Sequence, residues 1–282
     1  MYRRILIGLG LAPQLCTDYV RQSKKTDGLM HTHLMGVADP TGCIPFGKVF
    51  IPGYWKTSSG DRDLFGACLS YGKVLVSRSP CVEPTDMKLI QVLQSKPSEM
   101  TEGMWGMLCS YEFGTIIFGL PKCSNDTPVP NMIADGDLDG DTYFVLWDDD
   151  ILGNMLNPNT PLGRKALKDL LTLEPPESNS SIDKSSKLNS HYRSNWLETA
   201  QHDMVDVDKL RMAGQLVGKM YNLCKKSSKG ENGHWDIYNE DSIAFAKAYK
   251  DAMDVQKHGG TVYLPRHLHK ELPEKLRQYL TS

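Results

Sequence analysis

The sequence predicts an α+β protein, with a small β-barrel in its first half and a mainly helical region at its end. Three observations support this. Between residues 29 and 155, short runs rich in β-branched and aromatic residues are separated by glycine and proline. After residue 190, apolar residues recur every three or four positions, as on one face of a helix. Between these blocks, residues 174–190 are rich in serine and poor in apolar residues, which is typical of a flexible linker.

These shifts in composition predict four parts. Residues 1–28 contain a Gly-x-Gly that lacks both a preceding strand and the third glycine of a dinucleotide site, so we interpret them as helix, break and helix. The predicted parts are a helical lead-in (1–28), the barrel (29–155), a connector with a flexible linker (156–190) and a helical C-terminal region (191–282).

Short β-type runs define the predicted barrel. Residues 87–93 are compatible with either strand or helix, because periodicity does not separate the two over so short a run. The predicted strands are 34–37, 48–51, 74–77, 115–118 and 142–147.

The composition excludes several classes of protein. The 282 residues are 40% hydrophobic and 23% charged, as in ordinary globular proteins, and the net charge of −2 gives no global basic field for nucleic acid. No apolar run approaches the roughly 20 residues of a membrane span. Seven scattered cysteines without a C-x-x-C pair argue against a disulfide framework or a zinc site, and they predict a reducing compartment, the cytoplasm or nucleus.

Residues 133–148 carry the predicted functional site. Four carboxylates, of Asp135, Asp137, Asp139 and Asp141, alternate with small or apolar residues and lead into the predicted strand 142–147. Gly136 and Gly140 are expected to adopt positive φ, so that the chain bends and the carboxylates converge. Two unit charges about 4 Å apart repel by roughly 4 kcal/mol at an effective dielectric of 20. A divalent cation removes that cost, and carboxylate ligands favour Mg²⁺ first, then Mn²⁺ or Ca²⁺.

Three interpretations of this stretch are open. It is a solvated acidic turn, a calcium loop or a catalytic Mg²⁺ site with coordination positions left for phosphates. Asp135 begins a run that matches the first half of an EF-hand. The match then fails, because Leu146 stands where a bidentate Glu is needed and a strand-like run replaces the exiting helix.

The run Asp137-Leu138-Asp139-Gly140-Asp141, followed by Tyr143-Phe144-Val145, resembles the signature of the eukaryotic RNA-directed RNA polymerases of RNA silencing. The resemblance extends upstream and downstream, in the family's order. It implies a catalytic double-psi β-barrel, the second such barrel of the family, with flanking helices. The further matching segments are 36–42, 45–50, 72–81, 84–86 and 248–260.

The resemblance implies transfer of a nucleotide from a nucleoside triphosphate to the 3′ hydroxyl of RNA on an RNA template, with Mg²⁺, or Mn²⁺, held by Asp137, Asp139 and Asp141. Arg78 and Lys250 are expected to assist catalysis. Two alternatives remain open, that Arg78 only braces the acidic stretch by an ion pair and that Lys250 only pairs with Asp254 on a helix. The residues expected to bind nucleotide or nucleic acid are Lys73, Arg78, Gly136, Gly140, Lys250 and Lys257.

The family also implies partners. These are the RNA template and product, nucleoside triphosphates and an upstream barrel with basic residues, in the same or another chain; no membrane is expected. The chain is therefore predicted to be an RNA-directed RNA polymerase or the second-barrel fragment of one. The alternative is a non-catalytic remnant, either a metal-binding barrel or an RNA-binding module.

Overall fold

The computed structural model describes residues 31–56, 62–69, 72–111, 114–121, 123, 126–171, 207–230, 235–258 and 262–281. The predicted lead-in (1–28) and the serine-rich linker (174–190) lie outside these residues. The chain divides into two compact units, Met1–Pro176 and Glu177–Ser282.

The first unit is built on a closed barrel of six strands. Four neighbouring pairs are antiparallel, whereas β1 with β7 and β2 with β6 are parallel. Around the barrel the order is β1-β7-β2-β6-β5-β8, and β3 pairs with β4 in a separate antiparallel sheet. The strands are β1 (His31–Ala38), β2 (Lys48–Phe50), β3 (Pro52–Lys56), β4 (Arg62–Cys68), β5 (Lys73–Arg78), β6 (Met87–Val92), β7 (Thr115–Phe118) and β8 (Thr142–Leu146).

Alternate side chains of the barrel strands form its core. Val74 and Val76 of β5 are fully buried with Ile90 of β6 and Phe118 of β7 in one apolar cluster. Each such side chain contributes about 1.5 to 3 kcal/mol by leaving water. A shift of one residue in pairing would turn these side chains to the other face, so the core fixes the register that positions the strand ends.

Helices cover the outside of the barrel. Thr101 and Asp148 cap the first two by accepting backbone hydrogen bonds from Met104 and Ile151. The third packs on β6, where buried Lys88 donates to the carbonyl of Asp169 at 3.1 Å. These helices are α1 (Glu102–Cys109), α2 (Asp149–Met155) and α3 (Pro161–Leu171), with short 3-10 helices at Pro84–Asp86 and Val129–Met132.

The second unit is mainly helical in its described residues. Two long helices pack against each other and bury Leu216, Met220, Phe245 and Ala252. Its elements are α4 (Val207–Ser227), α5 (Glu240–His258), β9 (Val262–Tyr263), a 3-10 helix (Arg266–Glu271), α6 (Glu274–Arg277) and β10 (Leu280–Thr281), with β9 and β10 parallel.

The α+β class with a barrel in the first unit is confirmed, and the barrel is closed. Each of the five predicted strands overlaps an observed one, and residues 87–93, compatible with strand or helix, contain β6. The β3–β4 pair and α1 had no predicted counterpart, and α3 lies within the stretch predicted as a connector. Among the described residues, no helix is both long and apolar enough to cross a membrane.

Candidate metal centre

The predicted acidic stretch forms a loop, residues 134–141, between the 3-10 helix Val129–Met132 and β8; we call it the acidic loop. It brings three carboxylates together. One oxygen from each of Asp137, Asp139 and Asp141 lies within 4.8 Å of the others. Asp137 and Asp139 are exposed and Asp141 is half-buried. The set therefore offers oxygen ligands on one side and open coordination positions on the other, which suits a hard divalent cation.

The bend of the loop arises differently from the sequence prediction. Positive φ was expected at Gly136 and Gly140; Gly140 has φ 129°, but the other left-handed residues are Ala134 (52°) and Asp135 (51°). Gly136 is required for space instead. A Cβ there would lie 2.6 Å from the Tyr143 hydroxyl and 2.9 Å from Cδ of Arg78. The expectation for Gly136 was wrong because two neighbouring residues make the turn.

Arg78, at the end of β5, holds the acidic loop at two points. Its Nη2 donates to Oδ1 of Asp141 at 2.8 Å, and Nε lies 2.5 Å from Oδ2 of the same carboxylate. Its Nη1 donates to the carbonyl of Ala134 at 3.1 Å. The guanidinium is paired in the fork geometry typical of arginine and carboxylate. Arg78 thus braces the acidic loop, which was one of the two roles considered for it in the sequence analysis.

The charges of the loop shift two pKa values in opposite directions. A hydrogen bond with Asp139 raises the pKa of Asp137, and burial and the charges of Asp139 and Asp141 add to the effect. Burial alone would raise the pKa of Asp141, but hydrogen bonds from Arg78 and from the backbone of Asp137 outweigh it and lower that pKa. Asp141 therefore stays ionised, while Asp137 carries the cost of like charges that a cation would remove.

Two hydrogen bonds to carbonyl groups of the acidic loop also connect it to the barrel. The Tyr143 hydroxyl donates to the carbonyl of Asp137 at 2.8 Å, and the backbone N–H of Gly36 donates to the carbonyl of Asp141 at 2.9 Å. The sequence analysis did not assign these contacts. The available signal was that Tyr143 follows Asp141 by two residues, so both side chains lie on one face of an extended chain.

The remaining predicted residues lie on β5, on α5 and in the acidic loop. Lys73 is exposed at the start of β5, opposite Gln91, whereas Arg78 ends that strand. Lys250 and Lys257 lie on α5 in the second unit. Gly140 lies in the acidic loop between two of the carboxylates, with open space around its Cα.

The calcium-loop alternative does not fit this geometry. Leu146, at the position of the bidentate Glu, is buried and pairs with His31 and Leu75 inside the barrel sheet. A strand follows the acidic loop where an EF-hand continues as a helix.

A comparison with known families decides the assignment. A sequence model described as RNA dependent RNA polymerase matches residues 30–279, which is most of the chain and includes the barrel and the acidic loop. The chain belongs to the RNA dependent RNA polymerase family. The predicted family resemblance is thereby confirmed.

Relatives within the RNA dependent RNA polymerase family are distant in sequence. A probable RNA-dependent RNA polymerase 1 of Oryza sativa subsp. japonica is 26% identical over 86% of this chain and 26% of its own length. RNA-dependent RNA polymerase 2 of Arabidopsis thaliana is 29% identical over 44% of this chain and 11% of its own length. The chain thus spans about a quarter or less of these relatives.

A solved structure shows the same fold. RNA dependent RNA polymerase QDE-1 from Thielavia terrestris superposes with a TM-score of 0.53 and 17% identity, covering 93% of this chain and 26% of that one. Similarity at this level of identity supports the fold of the RNA dependent RNA polymerase family and does not assign a site.

Proposed function

We propose that this chain supplies the catalytic barrel of a Mg²⁺-dependent, RNA-directed RNA polymerase that acts in RNA silencing. The observation that carries the proposal is the convergence of Asp137, Asp139 and Asp141 within 4.8 Å on an exposed loop, in a chain of this family. In this view the three carboxylates hold the metal. When bound, Mg²⁺ lowers the pKa of the attacking 3′ hydroxyl and neutralises charge on the triphosphate.

The chain's own residues have separate tasks in this proposal. The carboxylates would hold the metal from one side, and their exposure would leave coordination positions for triphosphate oxygens. Arg78 fixes Asp141 and also places one positive charge beside the reacting phosphates. Gly140, with nothing within 4 Å of a Cβ position, would let a nucleotide approach the backbone closely, whereas Gly136 makes room for the Tyr143 hydroxyl and Arg78 behind the carboxylates.

Lys73, Lys250 and Lys257 are proposed as nucleotide or RNA contacts. Lys250 would reach the phosphates of the nucleotide or the leaving pyrophosphate. The geometry does not support a role for Lys73 at the carboxylates, since Lys73 lies at the end of β5 opposite to Arg78. We therefore assign Lys73 to nucleic-acid backbone outside the metal centre.

The barrel is proposed to be of the double-psi type. Its two parallel pairs, β1 with β7 and β2 with β6, join strands that are not consecutive in the chain, so their connections must cross over other strands. The domain organisation proposed from the sequence, with the barrel at 29–155 and a C-terminal helical region at 191–282, is retained with this assignment.

The expected partners follow from the proposed reaction. They are an RNA template and product, nucleoside triphosphates and a basic barrel that faces the acidic loop from the same or another chain. Such a barrel would balance phosphate charge that Arg78 alone does not balance. The cytoplasm or nucleus is the proposed location, since free cysteines occur throughout the described residues.

The test measures incorporation of radiolabelled ribonucleotides on single-stranded RNA with Mg²⁺. It is run with the purified chain alone and with the chain mixed with the upstream basic barrel of a polymerase of this family. Product formation that Asp139→Asn abolishes would support the proposal. Asp149→Asn is the matched control, because Asp149 is an exposed carboxylate in the first turn of α2, outside the metal centre. No product in either format would overturn the polymerase assignment.

A second candidate is a non-catalytic, metal-stabilised barrel. It is favoured by the same carboxylate cluster, which would bind a cation whether or not chemistry follows. In that case Mg²⁺ raises the melting temperature by mass action, and no labelled nucleotide reaches an RNA product.

A further inference from the structure

We infer that Tyr143 is a positioning residue for the metal centre: its buried hydroxyl fixes the backbone of Asp137 and thereby sets the spacing of the carboxylates. The inference deepens the proposed function and depends on it. Tyr143 would touch neither metal nor substrate.

The first step of the argument is that Tyr143 itself has little freedom. It is fully buried in the barrel core, and its ring meets Phe118 edge-on with centroids 5.0 Å apart. Its backbone pairs with Arg78 on β5 and with Leu34 on β1. A residue whose backbone pairs with two strands and whose ring packs on a third provides a rigid reference point for the loop.

The second step concerns Gly36, which makes room for the Tyr143 ring. A Cβ at Gly36 would collide with the ring of Tyr143 and would lie 2.8 Å from Cδ2 of Leu138 in the acidic loop. Any side chain here would therefore displace both the ring and the loop. The position of the ring under the loop depends on the absence of a side chain on β1.

The third step is that residue 137 is held through both of its backbone groups. Its N–H donates to Oδ2 of Asp141 at 2.9 Å, and its carbonyl accepts from the Tyr143 hydroxyl at 2.8 Å. Asp141 and Tyr143 are two residues apart, and the Gly36 N–H continues the β1–β8 pairing to the Asp141 carbonyl. Their side chains therefore leave the same face of the strand and meet residue 137 together.

These contacts fix the position of the Asp137 carboxylate in a cluster of mutually repelling charges. Without the tyrosine hydroxyl, Asp137 would move away from Asp139 and Asp141 in the absence of a cation, and binding would have to bring it back. Removing a group that orients a metal ligand typically lowers affinity by about 10- to 100-fold.

The test is Tyr143→Phe, which keeps the ring and removes only the hydroxyl. Mn²⁺ affinity of the full chain is measured by electron paramagnetic resonance titration, and the melting temperature is measured without metal. We expect the Mn²⁺ dissociation constant to rise about tenfold. In an active preparation, the Mg²⁺ concentration for half-maximal incorporation should rise while the rate at saturating Mg²⁺ is largely kept.

Tyr111→Phe is the matched control, since this half-buried tyrosine of the same unit packs against a different apolar cluster, which includes Phe50, Leu108 and Ile117. It should leave the Mn²⁺ affinity unchanged. Suppose that the wild-type chain binds Mn²⁺ and that Asp139→Asn removes this binding. An unchanged Mn²⁺ affinity in Tyr143→Phe would then overturn the positioning role and leave the metal centre in place. A wild-type chain that binds no Mn²⁺ would overturn both.

Discussion

The two ends of strand β5 differ sharply in what their cations do. At its last residue, Arg78 is partly buried and grips both oxygens of Asp141. At its first residue, Lys73 is exposed and lies opposite Gln91 of β6. Five steps along the extended chain separate the two residues by about 17 Å. One strand thus presents one cation to the acidic loop and one to the opposite rim of the barrel.

This difference shows what sequence proximity leaves out. Both cations flank the same predicted strand, and both were expected to bind nucleotide or nucleic acid. The antiparallel register of β5 with β8, in which Arg78 pairs with Tyr143 and Leu75 with Leu146, brings only the Arg78 end beside the acidic loop. The charge of Lys73 is therefore too far from the carboxylates to stabilise them, because salt screens interactions between exposed charges beyond about 8 to 10 Å.

The largest effect is expected at the acidic end, from Asp139→Ala. Loss of a direct carboxylate ligand should weaken Mn²⁺ binding by at least about a hundredfold, since even groups behind the ligands cost 10- to 100-fold. Calorimetric titration with Mn²⁺ measures this. The fold should survive, because Asp139 is exposed. Binding within threefold of wild type would show that Asp139 is not a ligand.

Arg78→Gln is the next largest change, because it leaves Asp141 without its charged partner and the Ala134 carbonyl without a donor. We expect the free energy of unfolding without metal to fall by about 1 to 3 kcal/mol at pH 7. Urea denaturation followed by far-UV circular dichroism provides the measurement.

The pH dependence of this loss sharpens the comparison. Arg78 lowers the pKa of Asp141 below 3.8, so its stabilisation is present above that value and is lost as pH falls through the lowered pKa. The difference between wild type and Arg78→Gln should therefore shrink in strong acid. A difference that stays constant down to pH 2 would show that the ion pair is not its source.

Gly136→Ala tests the packing of the acidic end without changing charge. The added methyl group would press on the Tyr143 hydroxyl and, at 3.0 Å, on the carbonyl of Pro130. We expect a loss of about 1 to 2 kcal/mol, as for overpacked sites. Gly72→Ala is a useful comparison, because nothing lies within 4 Å of a Cβ there. Equal melting temperatures for the two variants would contradict the proposed crowding.

The smallest effect is expected at the other end of β5, from Lys73→Gln. Because Lys73 is exposed at the far end of the strand, this change should alter the free energy of unfolding by less than about 0.5 kcal/mol and leave the Mn²⁺ affinity unchanged. The same titration that is used for Asp139→Ala applies. A severalfold change in Mn²⁺ affinity would mean that Lys73 acts on the metal centre from a distance.

Much of the barrel could be predicted because its strands carry a local signal. Residues 74–76 and 115–118 are β-branched or apolar, and both segments lie within strands. The pair β3 and β4 could not be found in this way, since β3 begins with proline and glycine, which strands disfavour. Two glycines inside α1 likewise weaken the helical signal of that segment.

The carboxylate cluster of the candidate site was predictable, and so was the ion pair with Arg78 as one alternative, whereas the hydrogen bond from Tyr143 was not. Asp137, Asp139 and Asp141 lie at alternate positions, so a single bend suffices to gather them, and this spacing is visible in the sequence. The hydroxyl of Tyr143 and the guanidinium of Arg78 reach the loop only because of strand register and barrel closure, which depend on the whole fold. The turn at Ala134 and Asp135 also had no local signal, since neither residue is glycine.

The supports of the acidic loop have a consequence for how the protein folds. Arg78 reaches Ala134 and Asp141 across 56 and 63 residues of chain, and the Gly36 contact spans still more. Contacts this distant in the chain form slowly, because a long loop must close before they can be made. The ion site should therefore be assembled late, after β8 has joined β1 and β5. Time-resolved Mn²⁺ binding during refolding would consequently report closure of the barrel rather than its initial collapse.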